Sequence, residues 1–222
     1  MTWTSYGPNA WLFRFAESLG DETFARGRAI VASLEQHPPT GLLEFVPSFT
    51  SVLLEFEPGA IHDPARQLEE IGRRFTSAFR RPPSPRPVKE VPVIYDGPDL
   101  ERVAKAHGLA VEKVPQLHSA VVYKVYVIGF SPGFPYLGDL DSRLHTPRLD
   151  SPRPRVAAGS VAIGGEHTGI YSVDSPGGWN IIGRTSVVLF DPAKKGSAEG
   201  DAAKFWLKAG DRVRFVPVKT LS

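Results

Sequence analysis

The 222-residue chain contains no cysteine. Disulfides, thiolate nucleophiles, cysteine-ligated zinc and iron–sulfur clusters are therefore excluded. No apolar run approaches the roughly 18 residues that a membrane-spanning helix needs, and residues 1–11 lack the basic flank and apolar core of a signal peptide. These absences predict a cytoplasmic protein with no membrane contact.

A strong charge of one sign is also missing. The chain has 26 Lys and Arg against 24 Asp and Glu, which gives a net charge of +2. The positive residues are spread along the chain, whereas a nucleic-acid-binding protein concentrates them on one element, so no nucleic acid is expected. Gly and Pro number 21 each, which favours turns and short strands over a helical bundle.

Residues 1–87 follow an alternating pattern of strands and helices. The apolar periodicity predicts strands at residues 11–15, 42–46 and 52–56, and helices after Asp21 and after Asp63-Pro64. Asp63 is predicted to cap the second helix, because an aspartate before a proline is a helix-start signal. With a closing strand at residues 91–95, this order predicts a ferredoxin-like domain.

A proline-rich segment, residues 80–87 (RRPPSPRP), follows. It contains a PxxP pattern, but a stiff interdomain linker is the favoured interpretation. Short helices are predicted near residues 100–108 and 111–117. Short apolar strands are predicted at residues 121–128, 160–163, 181–182, 187–190 and 213–216. Residues 88–222 are therefore expected to form a closed or nearly closed β-barrel, and the whole chain to be an α+β protein.

Familiar catalytic and binding motifs are incomplete or absent in this sequence. Residues 129–133 (GFSPG) match a nucleophile elbow, but the residue after Ser131 is Pro132, which has no N–H to donate to an oxyanion. Ser131 is therefore rejected as a nucleophile. The chain has neither a phosphate loop nor a dinucleotide fingerprint, and its six histidines lack metal-ligand spacing. No metal and no cofactor bound through a recognisable motif are expected.

Three stretches remain: residues 129–137 (GFSPGFPYL), 159–171 (GSVAIGGEHTGIY) and 175–185 (SPGGWNIIGRT). Together with Pro147-Arg148 and Pro152-Arg153, they resemble the KipI/PxpB family, which covers the B subunit of 5-oxoprolinase, the kinase inhibitor KipI and allophanate hydrolase subunit 1. They also resemble part of the carboxyltransferase region of urea carboxylase. The resemblance implies a ferredoxin-like domain over residues 1–87 and a cyclophilin-like β-barrel, a carboxyltransferase subdomain, over residues 88–222.

The resemblance also implies partners and an activity. A sister C subunit (KipA-like or allophanate hydrolase subunit 2-like) and an A subunit would complete an ATP-dependent 5-oxoprolinase, a hydrolase that opens 5-oxo-L-proline to L-glutamate with ATP as cosubstrate. This chain would be inactive alone. The alternatives are an inhibitor that binds a sensor histidine kinase, and one half of an allophanate- or urea-processing enzyme.

Candidate site residues come from these stretches, and each has an alternative, structural interpretation. His167, Asp174 and Arg184 are the candidate catalytic residues, for proton transfer and for holding a carboxylate or oxyanion. Arg184 could instead form a salt bridge with Asp174 or Asp191. Where this chain has His167, Asp174 and Ser172, the family commonly has glutamine, glutamate and proline.

The candidate substrate- or anion-binding residues form a larger group. The Ser175–Gly178 segment could present successive backbone N–H groups as an anion-binding nest, or be an ordinary Pro-Gly turn. The aromatic members could line a pocket, or fill the barrel. Arg148 could hold a ligand or form an exposed basic rim. The full set is Phe134, Tyr136, Arg148, Thr168, Tyr171, Ser175, Gly177, Gly178 and Trp179.

Overall fold

The structure is a computed structural model that describes residues 1–194 and 203–221. Its contacts divide the chain into two compact units, one formed by Met1–Pro85 and one that begins at Arg86. Over the described residues, no helix combines the length and the apolar character that crossing a membrane requires.

The N-terminal unit is one antiparallel sheet with two helices. Its strands lie in the order β1-β2-β4-β3. Its elements are β1 (Thr2–Ser5), β2 (Ala10–Arg14), α1 (Asp21–Gln36), β3 (Leu42–Pro47), β4 (Ser51–Phe56) and α2 (Pro64–Phe79).

Apolar periodicity explains the core of this unit. Val52, Leu54 and Phe56 alternate along β4 and are buried, as a strand with one covered face requires. They share a cluster with Phe75 of α2. The predicted cap of α2 is confirmed, because the Asp63 carboxylate accepts a hydrogen bond from the Arg66 N–H at 3.2 Å.

The predicted closing strand at residues 91–95 is wrong as a member of this sheet. The corresponding strand, β5 (Val88–Val93), pairs in parallel with β13 (Arg212–Pro217) in the second unit. Its Val91 and Val93 are fully buried in the core of that unit. Alternation of apolar residues identifies a strand but not the sheet it joins, and the edge position beside β2 is occupied by β1 instead.

The second unit is a mixed α/β barrel. Its main sheet has the order β12-β9-β10-β7-β6-β13-β5 among the described residues, and β11 pairs separately with β8. Between β5 and β13 lie α3 (Leu100–Ala106), α4 (Lys113–Ser119), β6 (Val122–Ile128), β7 (Pro135–Gly138), a 3₁₀ turn (Ser142–Leu144), β8 (Arg153–Val156), β9 (Ser160–Gly164), β10 (His167–Ile170), β11 (Ser175–Gly177) and β12 (Asn180–Arg184).

The two ends of this sheet meet, so the barrel is nearly closed. The Ile94 N–H donates to the Arg184 carbonyl at 3.0 Å, and the Arg184 N–H donates to the Ile94 carbonyl at 2.9 Å. Gly183 permits this approach, since a Cβ there would lie 2.5 Å from the Ile94 carbonyl oxygen. The absence of one side chain on β12 therefore helps to close the sheet.

The predicted strand at residues 187–190 is wrong. In that stretch only Phe190 pairs, through an isolated bridge with Phe205. Strands β1, β7, β8, β10 and β11 were not predicted, because they are three or four residues long and contain glycine, proline or polar residues.

Candidate functional site

A cavity of about 300 Å³ opens beside the barrel, and five of its ten lining residues are aromatic. Phe134 is the central ring and is 2% exposed. The rings of Phe130, Tyr136, Tyr171 and Trp179 lie edge-on to it, with centroids 5.1–5.5 Å away. The remaining lining residues are Arg148, Pro152, Pro176, Gly177 and Gly178.

Glycines of the stretches 159–171 and 175–185 shape this wall. A Cβ on Gly164 would lie 2.5 Å from the Trp179 ring, and a Cβ on Gly177 would lie 2.1 Å from the Tyr171 hydroxyl. Both contacts are far too short for a real side chain. The glycines on β9 and β11 therefore let the two aromatic rings pack against the backbone and leave the cavity open.

One positive charge lies at the rim of the cavity. The guanidinium carbon of Arg148 is 5.6 Å from the centre of the Trp179 ring, a cation–π distance. Arg148 is exposed, so its planar fork remains able to hold a carboxylate. The arrangement suits a small, flat ligand that is apolar on its faces and carries one anionic group.

Buried ion pairing holds the Trp179 wall in place. Asp99 accepts from the Arg153 guanidinium at 2.7 Å and from the Ile181 N–H at 2.7 Å. Arg153 also donates to the Trp179 carbonyl at 3.4 Å. Since Asp99 is almost fully buried, this carboxylate fixes β8 and β12 on both sides of Trp179. No local pattern signals this role, because an aspartate directly before α3 indicates only a helix start.

The cavity gathers most of the predicted binding residues. The seven that line it are Phe134, Tyr136, Arg148, Tyr171, Gly177, Gly178 and Trp179. Phe130 also lines it and was not predicted.

Ser175 and its neighbours do not form the predicted nest. Ser175 pairs with Val156 and Gly177 pairs with Arg153, so the segment is the extended strand β11 and not a tight turn. Successive N–H groups of an extended strand point in opposite directions and cannot converge on one anion. The Ser175 hydroxyl is buried and has no hydrogen-bond partner among the described residues. Its binding role stays a prediction.

Arg184 and Asp174 each form an ion pair outside the cavity lining. The Arg184 Nε lies 2.9 Å from Asp96 Oδ2, so Arg184 does form a salt bridge, with Asp96 and not with Asp174 or Asp191. Asp174 accepts from the Ala158 N–H at 2.8 Å and from Arg155 Nε at 3.0 Å. The N–H of Ala158 and then the Arg155 guanidinium hold the pKa of Asp174 below its ordinary value. The catalytic roles of both residues stay predictions.

His167 is a half-buried residue on β10. Burial lowers its pKa; the Glu166 carboxylate opposes this shift, while electrostatic interactions with His145 and Arg148 add to it. His167 is therefore neutral near pH 7 and able to accept a proton.

Thr168 is fully buried and belongs to a hydrogen-bonded chain, not to the cavity. Its hydroxyl donates to the Ala162 carbonyl at 3.0 Å, so it must accept from His118 Nε2, 2.8 Å away. Nδ1 of His118 is then the acceptor for the Tyr95 hydroxyl at 2.7 Å. Complete burial lowers the pKa of His118 to about 3. This neutral histidine joins α4 to β10, and sequence reasoning did not select it.

Metal-ligand geometry is missing from residues 1–194 and 203–221. In those residues, no three or more His, Asp or Glu side chains come together in a way that could hold a metal ion.

Taken together, the fold and site define a mixed α/β protein with a nearly closed β-barrel and an aromatic-lined cavity. The chain belongs to the family described as carboxyltransferase domain, subdomain C and D, whose model matches residues 1–198. Its resemblance to the KipI/PxpB family is confirmed. It is 36% identical over 224 residues to the 5-oxoprolinase B subunit of Bacillus subtilis (strain 168), covering 96% of this chain and 90% of the relative.

Solved structures share the fold. The crystal structure of TTHA0988 matches with a TM-score of 0.76 and 40% identity over 95% of this chain, which spans 40% of that longer chain. Kluyveromyces lactis urea carboxylase matches with a TM-score of 0.70 and 21% identity, covering 98% of this chain and 22% of the enzyme. At that identity, the second match establishes the fold alone.

Proposed function

We propose that this chain is the B subunit of a cytoplasmic, ATP-dependent 5-oxoprolinase and that its aromatic cavity binds the cyclic substrate. The complex converts 5-oxo-L-proline, ATP and water to L-glutamate, ADP and phosphate. The observation that carries the proposal is the aromatic cavity with the Arg148 guanidinium over Trp179 at its rim. The similarity to a relative named as the B subunit of 5-oxoprolinase, over 96% of this chain, supports it.

The chemistry of the substrate suits this cavity. 5-Oxoproline is a nearly flat five-membered lactam with one carboxylate. Its ring faces pack against Trp179 and Tyr136, and its carboxylate pairs with Arg148. Arg148 is preferred to Arg184 for this role because Asp96 already neutralises Arg184.

The ring-opening step needs more than this chain supplies. An amide is stabilised by resonance, so ATP serves to phosphorylate the lactam oxygen and activate its carbon. Water then adds to that carbon, and the C–N bond breaks as the nitrogen takes up a proton. A second water hydrolyses the resulting acyl phosphate to L-glutamate and phosphate. In this chain, neutral His167 is the candidate proton acceptor. We propose that a sister C subunit and an A subunit complete the site. The solved chain of TTHA0988, of which this chain spans only 40%, supports an architecture with further domains.

The domain assignment belongs to the same proposal. We infer that the second unit is a cyclophilin-like barrel and that the first is ferredoxin-like. In the first unit, the sheet order β1-β2-β4-β3 supports this assignment if β1 takes the place of the closing strand. The boundary then lies near residue 85.

Reconstitution tests the function. The chain is co-expressed with its sister C subunit and the A subunit, and ATP-dependent release of glutamate from 5-oxoproline is measured. Release is expected only when all three subunits are present. If the soluble three-subunit complex releases no glutamate, while this chain inhibits the autophosphorylation of a sensor histidine kinase, the proposal is wrong and the inhibitor alternative holds.

A further inference from the structure

Phe130 combines two features that both disfavour it at its position. Its φ angle is +69°, in the left-handed region that bulky residues rarely adopt. Its side chain is 65% exposed, although phenylalanine is among the most apolar residues. Neither feature helps this chain to fold. A strained backbone that persists at a site points to a functional constraint.

Hydrogen bonds of the surrounding loop maintain this conformation. The Ser131 N–H donates to the Gly129 carbonyl at 2.9 Å, and the Phe134 N–H donates to the Ser131 carbonyl at 3.1 Å. The Gly129 N–H donates in turn to the Phe134 carbonyl at 3.0 Å. The loop between β6 and β7 therefore forces residue 130 into the left-handed region, and its ring is presented in a defined direction.

The ring is presented at the cavity. Phe130 packs edge-on against Phe134 with a centroid distance of 5.5 Å and lines the cavity wall. Phe134, Tyr171 and Trp179 are buried, whereas Phe130 is the outermost ring of the set. A ligand that enters the cavity therefore covers the exposed face of Phe130.

We infer that Phe130 is a specificity-determining residue of this cavity, whose ring covers the methylene edge of a bound cyclic substrate; the inference rests on the proposed function. A closed lactam presents apolar methylenes to the ring. L-Glutamate, the opened product, brings an additional ammonium and an additional carboxylate, which are costly to remove from water against an aromatic surface. Phe130 thus favours the substrate over the product.

Three variants of the assembled enzyme test this role: Phe130→Ala, Phe130→Gly and Phe130→Tyr. The Ala and Gly variants are expected to raise KM for 5-oxoproline about tenfold, the effect of losing one aromatic contact, with kcat changed less than about twofold. The inhibition constant of L-glutamate changes less than KM. The Tyr variant keeps the wild-type KM.

The melting temperatures of the Ala and Gly variants distinguish the effect of backbone strain from the effect of losing the ring contact. Both truncations lose the ring, but only alanine keeps a Cβ in the left-handed region. The Gly variant is therefore expected to melt at a higher temperature than the Ala variant, although both bind substrate equally weakly. Equal melting temperatures would contradict the assigned strain.

A Trp179→Ala variant distinguishes the inference from the proposed function. If Trp179→Ala raises KM while Phe130→Ala and Phe130→Gly do not, the cavity is the substrate site and the role of Phe130 is wrong. If none of these variants raises KM, the proposed site itself is wrong. If the Phe130 variants lose partner subunits on gel filtration with KM unchanged at saturating partner, Phe130 is a docking residue and the inference is overturned.

Discussion

At the scale of single residues, the shape of the cavity depends on glycines, which have no side chain to fill it. Gly164 and Gly177 leave room for Trp179 and Tyr171, and a Cβ at Gly169 would lie 2.8 Å from the Pro135 carbonyl oxygen. The glycine-rich motifs are therefore packing determinants of an aromatic wall.

His167 gives a prediction at this scale. Because burial holds the pKa of His167 below 6.5, its ring is neutral at pH 7. The ring becomes charged only as the pH falls below this lowered pKa. If it accepts a proton during ring opening, kcat of the assembled enzyme falls on the acid side, below about pH 6.5. The pH profile of kcat measures this.

The control is His62→Gln, at an exposed position of the N-terminal unit. His167→Gln is expected to remove the acidic decline while keeping the fold, and His62→Gln to keep the decline. An unchanged acid limb in His167→Gln would mean that another group is the proton acceptor.

The sequence predicted which residues form the site better than it predicted which residues they contact. The motifs identified the aromatic and glycine residues of the wall, because large rings beside glycines indicate close packing. Arg184 was expected to hold an anion or to pair with Asp174 or Asp191, but it pairs with Asp96. Asp96 is 88 positions away, and no local pattern links two residues so distant in sequence.

At the scale of elements, His118 connects its own helix to three other parts of the barrel. It lies on α4, its Nε2 donates to Thr168 on β10, and its Nδ1 accepts from Tyr95, which follows β5. The Tyr123 hydroxyl of β6 also donates to the His118 carbonyl at 2.8 Å. All polar groups of this buried chain have partners, so it specifies how α4 docks on the sheet.

This network predicts a pH-dependent stability. The pKa of His118 is about 3 in the folded protein against 6.5 in the unfolded chain. Above pH 6.5 both states are neutral and stability is complete. Between pH 6.5 and 3 only the unfolded chain takes up the proton, so stability falls as the pH is lowered. Urea unfolding of the second unit at pH 7 and pH 5, followed by hydrogen exchange, measures this loss.

The variant His118→Gln should lower the free energy of unfolding at pH 7 by about 2–4 kcal/mol, because it disrupts buried hydrogen bonds. It should also lose less further stability between pH 7 and pH 5 than the wild type. His37→Gln, at an exposed position after α1, is the matched control and should behave as the wild type. The same pH dependence in His118→Gln would rule out His118 as its source.

At the scale of the whole molecule, long-range pairing limited what could be predicted. A strand was predicted at residues 91–95, but the parallel partner of the observed strand β5 is β13, which lies more than a hundred residues away. In the N-terminal sheet β1 takes the edge position beside β2, and the barrel is nearly closed by the hydrogen bonds between Ile94 and Arg184. Local periodicity predicts individual helices and strands. The pairing of strands into sheets depends on contacts between residues far apart in the sequence, which a short stretch does not contain.

Under the proposed function, the site is part of a larger assembly. The cavity offers apolar surface and one exposed cation, which suits binding of a small cyclic acid but not activation of its amide. On that proposal, this chain supplies the substrate pocket and the ATP chemistry requires partner subunits.

The steady-state kinetics of Arg148→Met in the reconstituted complex test the central claim most directly. If Arg148 holds the carboxylate of 5-oxoproline, KM should rise about 10- to 100-fold with kcat little changed, because one charge-assisted pair is lost. Arg143→Met removes an exposed arginine that pairs with Asp141 outside the cavity lining, and should leave KM unchanged. A wild-type KM in Arg148→Met would contradict the assignment of the aromatic cavity as the substrate site.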